Sequence, residues 1–118
     1  MKKLAPLALA REAGKLALSR KGFDVKILEV KAISSVCDFF VIVSGDADVH
    51  VNAIAKAVDE GLLQMGHRPY HREGAKGGNW VLLDYIDVVV HVFHEPTRQF
   101  YALERLWGDA PVEELSDN

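Results

Sequence analysis

Four aspartates in two short turns have the types and spacing to do chemistry. Asp46 and Asp48 lie in Ser44-Gly45-Asp46-Ala47-Asp48, and Asp84 and Asp87 flank Tyr85-Ile86. If the two turns converge, their carboxylates supply oxygen ligands for divalent cations and imitate a two-metal phosphoryl-transfer centre. Each turn alone is a weaker signal. Two carboxylates three apart fall short of the several convergent oxygens a divalent site wants, so Asp84 and Asp87 read better as turn-stabilising or partner-facing groups. Ser44–Asp48 lies between an apolar run and a helix, where ligands often bind in α/β folds. It lacks the full glycine-rich fingerprint and the lysine of a phosphate-binding loop, and its aspartates would repel a phosphate. A turn plus helix cap is the simpler reading.

The other reactive residue types are poorly placed. His91 and His94 are three apart in an extended segment, which sends them to opposite faces. His50, His67 and His71 have no convincing carboxylate or cysteine company, so all five histidines read as structural or surface residues. Cys37 is the single cysteine. It allows no intrachain disulfide and no four-cysteine zinc site, and it fits a reducing, cytosolic compartment. It precedes the apolar run Phe39–Val43 and reads as a structural thiol. No catalytic residue, metal or cofactor is expected.

The elements that must position these residues are legible from periodicity. A first helix is predicted from about Ala5 to Ser19, with Leu9, Ala13, Leu16 and Ala17 on one face and Gly22 as its left-handed stop. Its start, Met1-Lys2-Lys3 followed by a short apolar run broken by Pro6, reads as this helix rather than as a signal peptide. Phe23 to Val30 alternates as a half-buried strand, and Phe39 to Val43 is apolar throughout, as in a central strand. Val51, Ile54, Ala55, Val58, Leu62 and Met65 mark a second helix, capped by Asp46 or Asp48 and stopped by Gly66. His67 to Glu73 reads as a short edge strand containing Pro69. After the flexible loop Gly74–Asn79, Trp80–Asp84 and Val88–Phe93 form a hairpin. Pro96 opens a last helix with an apolar stripe of Phe100, Leu103, Leu106 and Trp107, closed by Gly108. The prediction is one α/β (α+β) domain over residues 1–111, with a mixed five-stranded sheet flanked by three helices. Residues 112–118 are expected to be a frayed acidic tail.

Composition narrows the function classes. With 118 residues the chain suffices for one core without staples. A formal charge of −3 gives no reason to bind nucleic acid, and suits a basic protein partner instead. No run approaches the length of a membrane span. Among the aromatics, Trp107 has the spacing of a core residue, while Trp80 and Tyr85 are equally readable as core or as interface anchors.

Two separated stretches then carry a resemblance. Trp80-Val-Leu-Leu-Asp-Tyr-Ile-Asp-Val-Val-Val-His-Val-Phe93, with Arg98-Gln-Phe-Tyr-Ala-Leu-Glu-Arg-Leu-Trp-Gly-Asp-Ala-Pro111, closely resembles the Iojap family of ribosomal silencing factors. Asp38–Gly45, with His50-Val51 and Ile54-Ala55 behind it, is similar to the same family's central motif. The similarity runs from about Leu4 to Pro111. It implies a factor that docks on the large ribosomal subunit through the ribosomal protein numbered fourteen, blocks subunit joining and represses translation when nutrients are scarce. It also implies a nucleotidyltransferase-like fold without that activity. Ser44-Gly45 is not the glycine–serine order of those enzymes, and no Asp-x-Asp strand follows at the expected distance. The family's partner-facing region falls here on Trp80, Leu83, Asp84, Tyr85 and Asp87. Two departures stand out: Asp46-Ala47-Asp48, where relatives have a threonine and serine after the glycine, and Ile86, where a glycine is common. The competing expectation is a residual nucleotidyltransferase or nucleotide-binding protein using Asp46, Asp48, Asp84 and Asp87. A homodimer pairing through the sheet or the last helix is compatible with either.

Overall fold

The structure is a computed structural model describing residues 3–74 and 77–116. In chain order the elements are α1 (Pro6–Ser19), β1 (Phe23–Glu29), β2 (Phe39–Gly45), α2 (Asp48–Gln64), β3 (His71–Glu73), β4 (Trp80–Asp84), β5 (Val88–His94), α3 (Glu95–Tyr101), α4 (Leu103–Leu106) and β6 (Val112–Leu115). One mixed sheet runs β3-β4-β5-β2-β1-β6. Only β2 and β5 are parallel neighbours, in register from Phe39 opposite Val88 to Gly45 opposite His94. Their central position explains why both are apolar without alternation: each is covered on two faces.

The sheet divides the core. On its inner face α1 and α2 bury Leu9, Ala13, Ala17, Val51, Ile54, Val58 and Leu62 against Val25, Ile27, Val41, Val43, Val81, Leu83, Val90 and Val92. On the outer face Leu28, Ile42, Val89 and Phe93 are buried, with Phe40, Trp80, Leu82, Leu103 and Trp107 partly covering them. The outer cover is thin, because only the short α3 and α4 lie on that side.

Several expectations need correction. The sheet has six strands, not five, because Val112–Leu115 adds to the free edge of β1 instead of fraying. The tertiary partners that hold it are distant in sequence. Leu115 packs into the space left by Gly14, and Arg11 forks onto Glu113 at 2.8 and 2.9 Å. That hydrogen bond, with the Arg11 charge, holds the Glu113 carboxyl below its ordinary range. Residues 117–118 of the expected tail lie outside the described residues.

The last helix is also not continuous. Ala102 adopts φ 49°, its N–H bonds the Arg98 carbonyl at 2.8 Å, and the chain turns before α4. The predicted stripe splits as a result: Leu103 and Trp107 pack on the sheet, while Phe100 and Leu106 are 81% and 73% exposed. The stop of α1 is displaced by one residue. Lys21 takes the left-handed φ of 64°, and Gly22 N–H bonds the Ala17 carbonyl at 3.0 Å. Gly22 is needed for space, since a Cβ there would lie 2.8 Å from both Ala17 O and Val43 Cγ1. At α2, Gly66 supplies the expected stop with φ 93°. The expected cap does not form: Ala47 holds the N-cap position, and the Asp48 carboxylate accepts the N–H of Val49 at 2.8 Å.

Candidate functional site

Strand β4 positions the residues singled out above, and its period of two separates them. Trp80, Leu82 and Asp84 are half-buried on the outer face, whereas Val81, Leu83 and Tyr85 point into the inner core. Leu83 is 2% exposed and Tyr85 8% exposed. Leu83 and Tyr85, expected among the partner-facing residues, thus lie beneath that surface in the unbound chain. Burial pushes the Tyr85 phenol well up, and its hydroxyl has no hydrogen-bond partner among the described residues. Leu82, which shares a face with Trp80, is the residue that the alternation points to and the expected set omits.

The turn after β4 is held by its own polar groups. The Asp84 carboxylate accepts the Ile86 N–H at 2.7 Å, and Asp87 N–H bonds the Tyr85 carbonyl at 2.9 Å across Ile86. Ile86 has φ 74°, a conformation costly for a β-branched residue and natural for glycine. The Asp87 carbonyl in turn accepts the N–H groups of Asp38 and Phe39 at 2.8 and 3.1 Å. This ties the turn to the entry of β2 and adds Asp38 to the neighbourhood, which periodicity alone does not place. The Cys37 thiol registers the cluster: burial, then the charges of Asp38, Asp84 and Asp87, push it up to about 11. Cys37 is a buried structural thiol, as its sequence setting suggested.

Asp46 and Asp48 are not part of this cluster. They follow the end of β2, whereas Asp87 lies at its start, beside Val88. Seven strand residues at ~3.3 Å each put the two pairs roughly 20 Å apart. Among the described residues no group of three or more His, Cys, Asp or Glu side chains could hold a metal ion. Asp46 N–H instead donates to His50 Nδ1 at 3.0 Å, leaving Nε2 to bond the Arg20 carbonyl at 2.8 Å. This joins the start of α2 to the end of α1.

Beside the acidic turn lies an aromatic floor. Opposite Trp80 in the ladder is Phe93, and opposite Leu82 is His91. The Trp80 ring packs 4.7 Å from Phe93 and 4.9 Å from Tyr101, and Phe40 meets both His91 and Trp107 edge-on at 4.9 and 5.6 Å. Trp80 borders two grooves. One, of ≈ 390 Å³, is lined by Asn79, Pro96, Thr97, Phe100 and Tyr101; the other, of ≈ 300 Å³, by Glu73, Gly74 and Leu82.

Helices α3 and α4 are anchored over this floor by Arg98, which is 4% exposed. Its Nη1 donates to the Asp24 carbonyl at 2.6 Å and to Ser44 Oγ at 2.8 Å, and Nε donates to Glu104 at 2.8 Å. Nη2 lies 2.7 Å from the same carboxylate but is not aligned for a hydrogen bond. Burial is the largest influence on Glu104 and opposes its charge, but the Arg98 hydrogen bond, a backbone N–H and the charges of Arg98 and Lys26 together outweigh it, so the carboxyl is held below its ordinary value. The arrangement is a surface of half-buried apolar side chains with carboxylates at one end, suited to binding a basic protein.

Comparison with known proteins agrees with the fold. The family model for RsfS, ribosomal silencing factor during starvation, matches residues 3–118. The "Ribosomal silencing factor RsfS" of Bacillus subtilis (strain 168) is 42% identical over 96 residues, covering 81% of this chain and 81% of that protein. Its counterpart in Halalkalibacterium halodurans is 44% identical over 96 residues, covering 81% and 82%. A crystal structure of a Chromobacterium violaceum protein superimposes with a TM-score of 0.87 at 31% identity, covering 89% of this chain and 88% of that one. The chain belongs to the RsfS family of ribosomal silencing factors.

Proposed function

We propose that this protein is a ribosomal silencing factor that docks on the large subunit, through the large-subunit protein numbered fourteen, and keeps the small subunit from joining. The observation that carries this reading is the outer face of β4, where Trp80, Leu82 and Asp84 form a row that ends at the acidic turn holding Asp87, with Asp38 tied to that turn. The contact surface is Trp80, Leu82, Asp84 and Asp87, with Leu83 and Tyr85 fixing the strand from the inner side. No bond is made or broken in such a mechanism. A footprint of roughly 800 Å² per partner is sufficient, and bulk excludes the competing subunit. The carboxylates draw in a basic ribosomal patch and speed encounter, mostly at low salt. Inhibition follows mass action, so abundance relative to Kd sets its degree, and the protein acts in the cytoplasm, where free subunits are. Among the described residues no helix is long and apolar enough to cross a membrane.

Sedimentation of mixed subunits tests the reading. Added protein should reduce the joined fraction, and Trp80→Ala or a double Asp84→Asn, Asp87→Asn variant should restore it. Unchanged profiles at saturating protein refute the mechanism. The exposed Phe100 and Leu106 favour, in addition, a homodimer through the last helical segment. Light scattering across concentration, with Phe100→Ser as the monomer control, decides that point.

A further inference from the structure

The pairing of Trp80 with His91 links the surface to a buried group. We propose that His91 is a positioning residue that fixes the Trp80 indole as the shared wall of the two grooves; the functional part of this rests on reading the Trp80 face as the docking surface. The indole N–H donates to His91 Nδ1 at 3.1 Å, diagonally across the β4–β5 ladder. A half-exposed indole ordinarily satisfies its N–H with water and keeps some freedom to turn. Here the acceptor is a ring that cannot follow it. His91 is 5% exposed, stacked on Phe93 at 11° and met edge-on by Phe40.

Because Nδ1 accepts, the proton of the neutral imidazole is on Nε2, which has no hydrogen-bond partner among the described residues. A buried donor without a partner is destabilising. A phenylalanine at 91 would occupy the same space without that penalty, so what the imidazole adds is the acceptor for Trp80. The consequence reaches both grooves, since Trp80 lines each of them. An indole free to rotate would change the shape of both at once, and a partner would have to order it on binding.

The test uses the full chain, ¹⁵N-labelled, and isolated large ribosomal subunits. In the wild type the Trp80 indole N–H should exchange with water at least about tenfold more slowly than a free indole. His91→Phe should remove that protection, keep the fold, and weaken binding to large subunits about fivefold, the equivalent of one lost hydrogen bond. His91→Gln, whose amide oxygen can accept, should recover most of both. Free-indole exchange in the wild type overturns the proposal, even if His91→Phe does not fold. So does undiminished affinity of His91→Phe where Trp80→Ala binds weakly. If Trp80→Ala itself binds as tightly as the wild type, the docking reading fails, and the exchange rates alone decide whether His91 holds the indole.

Discussion

Acidification should destabilise this fold through one buried ring. His91 is surrounded by Trp80, Phe40 and Phe93 and flanked in the ladder by Leu82 and Ile42, none of which carries charge. Burial alone lowers it from the ordinary 6.5 to about 4. The unfolded chain therefore takes up a proton near 6.5, while the native protein resists until about 4. Between those values the unfolded state binds more protons, so stability rises with pH across the window and is lost as pH falls through it. The contribution is complete above about 6.5. Moving from about pH 7 to about pH 4.5 should remove about 2–3 kcal/mol, a large part of a typical 5–15 kcal/mol total. Carboxylates titrate in the same range, so the assay is a difference: urea unfolding of wild type and His91→Phe in parallel, across pH. The gap in unfolding free energy should shift against the wild type by about 2–3 kcal/mol on acidification, nearly all of it below about pH 6.5. Parallel curves would refute the reasoning, because they would mean that solvent reaches the ring and no penalty exists.

Five further substitutions have outcomes set by the packing. Arg98→Ala should cost about 3–5 kcal/mol by urea unfolding, because it strands the buried Ser44 hydroxyl, the Asp24 carbonyl and the Glu104 carboxylate. Lys21→Gly should raise stability by about 1 kcal/mol and Tm by about 3–5 °C, since Lys21 holds φ 64° at the end of α1. Gly22→Ala should do the opposite, as its Cβ would press on Ala17 O and Val43 Cγ1 at 2.8 Å. Leu83→Ala should lower stability by about 2–5 kcal/mol yet leave the affinity of the folded fraction for large subunits unchanged, whereas Leu82→Ala should weaken binding with little effect on Tm.

Much of this molecule was legible in its residues taken in order. The apolar runs of β2 and β5, the 3.6-residue spacing of α2 with Gly66 at its end, and the hairpin around Tyr85-Ile86-Asp87 are local patterns, set by burial and backbone sterics within a few residues. The family motifs reached further, to the family of ribosomal silencing factors. Neighbours distant in the chain were not legible. Val112–Leu115 looks like a polar tail until β1 offers it an edge and Arg11 and Gly14 offer it partners. The last helix looks continuous until Arg98 draws α3 onto the sheet and Ala102 turns the chain.

At the site, the family resemblance nominated Trp80, Leu83, Asp84, Tyr85 and Asp87. The parallel register of β2 and β5 decided the rest, because it sets Asp46 and Asp48 at one end of the sheet and Asp84 and Asp87 at the other. That register also brings Asp38 beside the turn and lays His91 under the indole. Sequence determines what each short segment prefers, because backbone sterics and apolar periodicity act over a few residues. Which segments meet depends on burying both faces of the sheet at once, and that is a property of the whole chain.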